Sequence, residues 1–200
     1  MSLTIVVASH NRKKSGEMIA ILTELLDSPN ISLLADFEGA PEPEETGQTF
    51  QENAAIKARA CAQFTGLLSI ADDAGLVVDA LGGAPGLYSK RFGGEETSFG
   101  EKMALILEEM KEVAEPDRAA RFQCAVAIAW PDGRLESVET TCEGLIAQAP
   151  RGTYGFGYDP IFFLPELGCT MAELPPEFKN RISHRAKALK LASEILQSQV

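Results

Sequence analysis

Leu67-Leu68-Ser69-Ile70-Ala71-Asp72-Asp73-Ala74-Gly75-Leu76 decides how the rest of this chain is read. A short, mostly apolar run leads into two adjacent carboxylates. Apolar strands ordinarily end in neutral turn residues, because adjacent negative charges repel and both seek water. Two acids at the mouth of a buried strand point to a divalent cation or a general base. A solvated Asp turn is the alternative, and these residues alone favour it. The continuation to Gly94 is rich in glycine and lacks a helical period, yet it carries Leu76, Val77, Val78, Leu81, Leu87, Tyr88 and Phe92. That is too much apolar surface for a disordered linker, so the segment reads as an ordered loop beside a site.

Upstream, Leu3 to Ala8 is short, continuous and β-branched, the pattern of a buried strand running in directly from Met1-Ser2. Met18, Ile19, Leu22, Leu25 and Leu26 then recur at helical spacing as far as Pro29. Ile31 to Ala35 is a second strand, followed by an acidic connector from Asp36 to Gly47. Thr49-Phe50-Gln51-Glu52 reads as a capping box, opening a helix that Gly66 ends. Strand–helix–strand–helix–strand in this order predicts an α/β sheet. Downstream, Thr97 to Lys111 is amphipathic. Ala119–Trp130 and Leu135–Ala147 flank Pro131-Asp132-Gly133-Arg134 as a long hairpin. Ile161 to Phe163 is a short strand, a Pro-broken stretch follows, and a last helix starts after Ser183. An antiparallel hairpin of that length within an α/β chain suggests a second lobe. The expectation is one α/β domain over 1–200, with a mixed sheet, a long antiparallel hairpin and two lobes around a central cleft.

A net charge of −11 argues against a general nucleic-acid binder, whose affinity comes from phosphate neutralisation. No apolar run approaches the roughly 18 residues of a membrane span, and the N-terminal residues lack a signal peptide's layout. The expectation is a cytoplasmic protein with neither nucleic acid nor membrane as partner. The four cysteines show no C-x-x-C pair and read as reduced thiols. Only His10 and His184 are present, which excludes His-rich metal sites, so catalysis is expected to rest on carboxylates.

Arg12, Lys13 and Lys14 fall in the first turn of the first helix, where the macrodipole is already positive. Cations there are unfavourable by roughly 0.3–1 kcal/mol each unless an anion occupies the helix start. Ser9 and Asn11 add a hydroxyl and an amide to the same turn. His184, Arg185 and Lys187 repeat the pattern in the helix that Ser183 caps. Two cation-loaded helix starts in an acidic chain read as parts of one polyanion site. Gly152-Thr153-Tyr154-Gly155-Phe156-Gly157-Tyr158-Asp159-Pro160 alternates glycine with aromatics, which suits either a ring stacked on a ligand or a tight structural turn. Acidic ligand candidates are Glu44, Glu45, Asp72 and Asp73. A nucleoside triphosphate uses cations, a carboxylate-bridged Mg2+ and a stacking ring together. With no G-x-x-x-x-G-K-[ST] loop and no G-x-S-x-G elbow, hydrolysis by a metal-activated water with an Asp base is the economical chemistry.

These segments, in order, resemble the inosine triphosphate pyrophosphatase family. Ser9-His10-Asn11-Arg12-Lys13-Lys14 resembles its phosphate motif. Glu44-Glu45-Thr46-Gly47 with Phe50-x-Glu52-Asn53-Ala54-x-x-Lys57-Ala58 resembles its metal-side loop and helix. Asp72-Asp73-Ala74-Gly75-Leu76 with Gly83-Ala84-Pro85-Gly86-x-Tyr88-Ser89 resembles its central signature. Gly155-Phe156-Gly157-Tyr158-Asp159-Pro160 and Ser183-His184-Arg185-x-Lys187-Ala188 resemble its base-recognition segments. The resemblance implies an ITPase-like fold, usually a homodimer, that hydrolyses ITP, dITP and XTP to the monophosphate and pyrophosphate. It implies Asp73 as general base and Mg2+ ligand, with Glu44 as the second carboxylate on the metal. Ser9, His10, Asn11, Arg12, Lys13 and Lys14 would meet phosphates. Phe156, with Gly157 and Tyr158, would form the stacking segment, and Asp159, Lys179, His184 and Arg185 would read the purine.

Three positions depart from the family pattern: Ala74 replaces a serine beside the base, His10 replaces a small residue, and Ala186 replaces a glycine. Ala74 bears most on catalysis and implies a retuned rate. Two other readings remain open. One is a pyrophosphatase of the related Maf type acting on other bases; the other is a non-catalytic nucleotide-binding regulator.

Overall fold

A computed structural model of the chain describes residues 3–198; Met1 and Ser2, expected to lead into the first strand, lie outside them. The strands are β1 (Thr4–Val7), β2 (Asn30–Leu33), β3 (Ser69–Val78), β4 (Ala119–Ala129), β5 (Leu135–Ile146), β6 (Phe162–Leu164) and β7 (Cys169–Thr170). The helices are α1 (Arg12–Leu25), α2 (Phe50–Thr65), α3 (Phe99–Glu109), α4 (Pro176–Ile182) and α5 (His184–Gln197). The strands form one mixed sheet in the order β2-β1-β3-β4-β5-β6-β7. No helix of the described residues is long and apolar enough to cross a membrane. The chain divides into two compact units: Met1–Asp73, Cys124–Thr140 and Ser183–Val200 form the first, Ala74–Gln123 and Thr141–Ile182 the second.

In the first unit, β1 pairs in parallel with both β2 and β3, with Thr4 opposite Asn30 and Val6 opposite both Ser32 and Ser69. Ile5, Val6 and Val7 are fully buried beside Met18 and Leu22 of α1. Helix α1 starts because the Asn11 side chain accepts from the Lys13 and Lys14 amides, both at 3.1 Å. Helix α2 is capped by Thr49, whose hydroxyl accepts from the Glu52 amide at 3.1 Å, and ends at Gly66 in the left-handed conformation. The return arm of the expected capping box differs: the Glu52 carboxylate accepts from the Gln48 amide at 2.6 Å, one residue before the cap. Ala54, Ala58, Cys61 and Ala62 form the buried face of α2, and α1 packs against α5.

The largest departure from expectation is β3, which continues through both aspartates to Val78 instead of ending at Ala71. Successive strand side chains point to opposite faces. Asp72 therefore meets Lys14 of α1 and Arg185 of α5, while Asp73 meets Asn53 and Lys57 of α2. Each carboxylate has its own cations on its own face, so neither needs a turn or open water.

In the second unit, β5, β6 and β7 are antiparallel, with Leu145 opposite Phe163 and Phe163 opposite Thr170. The core gathers Leu76, Val78, Ile106, Met110, Phe122 and Phe162. The part of β4 in this unit, Ala119 to Gln123, alternates buried and half-buried residues, whereas Cys124–Ala129, in the first unit, is buried throughout, the mark of a strand covered on both faces. Helix α3 carries a complete Ser98/Glu101 capping box. The buried Arg118 guanidinium donates to the carbonyls of Met110, Val113, Ile146 and Ala147, tying the end of α3 to β5. Helix α4 occupies the stretch that read as Pro-broken. Proline at the first helical position carries no amide that the helix would use, so Pro176 opens the helix rather than breaking it.

Candidate active site

Asp73 and Asp72 anchor a buried charge cluster in the first unit. Lys57 bridges two carboxylates, with its ammonium 2.9 Å from Asp73 and 2.7 Å from Glu45. Asn53 donates to the other Asp73 oxygen at 3.3 Å. Asn53 and Lys57 stand four residues apart on α2, hence on one face, with Phe50 and Cys61 in line and the alanines Ala54 and Ala58 beside them. On the opposite side of β3, Lys14 lies 3.1 Å from Asp72 Oδ1 and donates to the Asp72 carbonyl at 3.1 Å. Arg185 donates Nε to Asp72 at 3.0 Å and Nη1 to Glu17 at 2.7 Å.

The two aspartates are displaced in opposite directions. Burial alone would raise Asp72, yet Lys14, Arg185 and Lys57 hold it well below the usual carboxylate range. Burial raises Asp73 above its ordinary value against the opposing pull of Lys57 and Lys14, and Glu45 adds an upward push. Lys57 loses by burial but gains more from Asp73, Glu45 and Asp72, and stays above its ordinary value. Arg185 does likewise through Asp72 and Glu17. Asp72 is thus a permanent anion fastening two helix starts, and Asp73 is the carboxylate with affinity to spare for a proton.

That arrangement changes how the cation-loaded helix starts are read. One cation from each start, Lys14 and Arg185, is given to Asp72, so a buried carboxylate of the protein supplies part of the expected anion. Arg12 and Lys13 stay exposed with no ion pair among the described residues. The exposed His10 faces the Pro41 carbonyl at 3.2 Å, and the Ser9 hydroxyl accepts from the Asn11 amide at 3.2 Å. His184 is buried, and its backbone carbonyl accepts from the Thr140 hydroxyl at 2.7 Å. Both His184 and Arg185 belong to the first unit.

The second unit holds the remaining expected residues. Lys179 and Asp159 form a buried ion pair at 2.6 Å, and the same Asp159 oxygen accepts from the Phe156 amide at 2.9 Å. The Lys179 ammonium lies 4.7 Å from the centroid of the half-buried Phe156 ring. Gly155, at φ +72°, is required here: a Cβ would stand 2.1 Å from that Asp159 oxygen. Tyr158 is buried, and its hydroxyl donates to the Ser89 carbonyl at 2.8 Å, so it holds the segment from behind. Gly157 packs loosely on Phe99.

Glu44 is exposed, and its neighbour Glu45 is the one that reaches Lys57. Among the described residues no cluster of three or more His, Cys, Asp or Glu side chains could hold a metal. Mg2+ asks for less, since it is held by one or two carboxylates with substrate phosphates completing its shell. A cation, the Lys57 ammonium, already lies between Asp73 and Glu45, and all donors are hard oxygens. The residues therefore fit Mg2+ with Asp73 and an acid of the 44–45 loop. Glu45 was an acidic candidate and Asn53 and Lys57 fell within the quoted loop-and-helix motif, but none of the three was given a role at the site. The i, i+4 spacing of Asn53 and Lys57 on an otherwise small and apolar helix face was the available signal.

Two adjacent buried carboxylates, each with its own cation partners, thus stand on one strand of a mixed α/β sheet. The Ham1 family matches residues 5–195, and the chain belongs to that family. It is 51% identical to a protein named dITP/XTP pyrophosphatase from Geobacillus kaustophilus, over 92% of this chain and 90% of that one. The protein of the same name from Desulforamulus reducens is 47% identical, over 97% and 96%. Among solved structures, a HAM1 protein from Coxiella burnetii superposes with a TM-score of 0.87 at 41% identity, covering 98% of this chain and 99% of that one. The Ham1 protein of Staphylococcus aureus gives 0.86 at 37%, covering 98% and 100%.

Proposed function

We propose that this chain hydrolyses ITP, dITP and XTP to the nucleoside monophosphate and pyrophosphate, with Asp73 as the general base and Mg2+ as the metal. Membership of the Ham1 family and relatives named dITP/XTP pyrophosphatase support the reaction class. The observation that carries the mechanism is the unequal setting of two adjacent carboxylates: Asp72 is bound by Lys14 and Arg185 on one face of β3, whereas Asp73, on the other, is held by Asn53 and Lys57 beside Glu45. Burial raises Asp73 while the cations lower Asp72, in line with an acid–base partner beside a structural charge.

Asp73 takes the proton from the attacking water onto its carboxylate. Lys57 and Asn53 fix that carboxylate, each on one of its oxygens, so that its orientation is set before substrate arrives. Lys57 holds Glu45 at the same time and keeps the 44–45 acids within the cluster. Asp72 stays ionised and fastens the starts of α1 and α5 through Lys14 and Arg185. Arg12 and Lys13, exposed at the start of α1, bind phosphate. When bound, Mg2+ supplies neutralisation and orientation of the phosphates, with Asp73 and Glu44 or Glu45 as its protein ligands. Regular alternation along β3 sends the Ala74 methyl to the Asp72 face, away from the Asp73 carboxylate, so the missing hydroxyl tunes the rate without removing the base.

In the second unit, Phe156 stacks on the purine and Lys179, oriented by Asp159, donates to position 6. A keto oxygen accepts there and an amino group does not, which favours ITP and XTP over ATP by as much as about 10⁴-fold. The functional form is proposed to be a homodimer, checked by light scattering. The test of the reaction is a nucleotide panel with Mg2+, scored separately for pyrophosphate and orthophosphate. Pyrophosphate from ITP, dITP and XTP is expected. A preference for dTTP or UTP indicates a Maf-type activity, and binding without turnover indicates a regulator; either result defeats the proposal.

A further inference from the structure

Lys102 of α3 is 2% exposed, and among the described residues no carboxylate pairs with it. A buried ammonium without a counter-ion is costly, so the contacts it does make are informative. Its ammonium donates to the Lys90 carbonyl and lies 5.0 Å from the centroid of the Phe99 ring. Phe99 meets Tyr158 edge to face, with centroids 5.3 Å apart at 87°. Tyr158 in turn donates to the carbonyl of Ser89, the residue just before Lys90, at 2.8 Å. The Ser89 hydroxyl, itself buried, accepts from the Leu76 amide of β3 at 2.9 Å and donates to the Gly86 carbonyl at 2.6 Å. Two neighbouring carbonyls, Ser89 and Lys90, are thus each held by one side chain. Those two side chains are joined through Phe99, and the whole closes into a ring of contacts anchored to the sheet.

We propose that Lys102 is a positioning residue for nucleobase selectivity: it fixes the Lys90–Arg91 peptide, directly next to the Ser89–Lys90 peptide from which Tyr158 is hung, and through Tyr158 it sets the place of Phe156 and Asp159. The inference rests on the base-reading role proposed for the Phe156 segment. Tyr158 lies two residues after Phe156 and directly before Asp159, so movement at its hydroxyl displaces the ring and the carboxylate together. Burial keeps the Tyr158 phenol protonated and therefore a donor. A methionine at 102 would reproduce the packing on Phe99 and lose the donor to Lys90. An arginine would keep a cationic donor.

The experiment compares wild type, Lys102→Met, Lys102→Arg and Tyr158→Phe in steady-state kinetics on ITP and ATP with Mg2+. Lys102→Met is expected to raise KM for ITP about 10-fold, the equivalent of one charged hydrogen bond, with kcat within about twofold of wild type. It is also expected to narrow the ITP-to-ATP ratio of kcat/KM, and Lys102→Arg to restore most of both. Tyr158→Phe cuts the same ring from its other side and is expected to raise KM for ITP likewise, which keeps the test available if Lys102→Met does not fold. A lowered Tm with KM and the ITP-to-ATP ratio unchanged would overturn the inference, as would a folded Lys102→Arg no better than Lys102→Met. Wild-type protein with no preference for ITP overturns the base-reading assignment itself. Wild-type preference that survives in both Lys102→Met and Tyr158→Phe overturns the role of Lys102 alone.

Discussion

Gly155→Ala puts the geometry of the Asp159–Lys179 pair to a quantitative test. The added Cβ would stand 2.1 Å from the Asp159 carboxylate oxygen, 3.0 Å from its carbon and 3.2 Å from the Lys179 ammonium. The oxygen must retreat by at least about 1.3 Å to reach an ordinary contact distance. That same oxygen holds Lys179 at 2.6 Å and the Phe156 amide at 2.9 Å, and a shift of this size carries them beyond hydrogen-bonding range. Separating a buried ion pair costs about 3–5 kcal/mol, and an alanine in the left-handed region adds roughly 1–2 kcal/mol. Gly157→Ala is the internal control. Its φ is +67°, so the backbone cost is the same, but its Cβ would meet only Phe99, at 3.7 Å. The difference between the two variants isolates the ion pair. For a chain of this size it corresponds to a gap in Tm of about 6–20 °C, read by calorimetry. The ITP-to-ATP preference should collapse in Gly155→Ala and persist in Gly157→Ala. Equal Tm and equal selectivity in the two variants would refute the reasoning, because what separates them is the contact of the added Cβ with the Asp159–Lys179 pair.

Three further outcomes follow from the first unit. Asp72→Asn leaves the buried Arg185 and Lys14 short of their shared anion and is expected to cost about 3–5 kcal/mol, a fall in Tm of roughly 6–20 °C. Because the folded Asp72 holds its proton less tightly than the unfolded chain does, its contribution to stability is fully present above a pH of about 4 and is lost as pH falls below that. Acid titration of Tm should therefore be steeper for wild type than for Asp72→Asn in that window. Lys57→Met removes the cation that most opposes the upward displacement of Asp73, so the acidic limb of the kcat/KM profile should move to higher pH; an unmoved limb would contradict the pairing.

Much of the fold was legible because it is written in local patterns. The opening strands, the Thr49 and Ser183 caps, Gly66 as a helix stop and the hairpin at Pro131–Arg134 all rest on spacing within a few residues. Contacts between distant residues left no such trace. Arg185 lies 113 residues from Asp72 and 168 from Glu17, and nothing near it in the chain announces either partner. The dipole argument detected that the two helix starts need an anion but had no means of telling a substrate from an internal carboxylate. The same limit applied to β3. Adjacent acids look like the end of a strand until the cations on both of its faces are known. Glu45 could not be told from Glu44, because which of two neighbouring acids turns toward Lys57 depends on the loop conformation. Helix α4 was missed for a local reason, since two prolines were read as a break where the second one is a start.

The central claim is that Asp73, and not its neighbour, accepts the proton of the attacking water. The measurement that addresses it most directly is the single-turnover rate of pyrophosphate release from ITP with saturating Mg2+, compared between wild type and Asp73→Asn, with circular dichroism to establish that both are folded. A loss on the order of 10²–10⁴-fold in a folded variant is predicted, the usual contribution of a positioned general base. A folded Asp73→Asn that releases pyrophosphate within a few-fold of the wild-type rate would contradict the account.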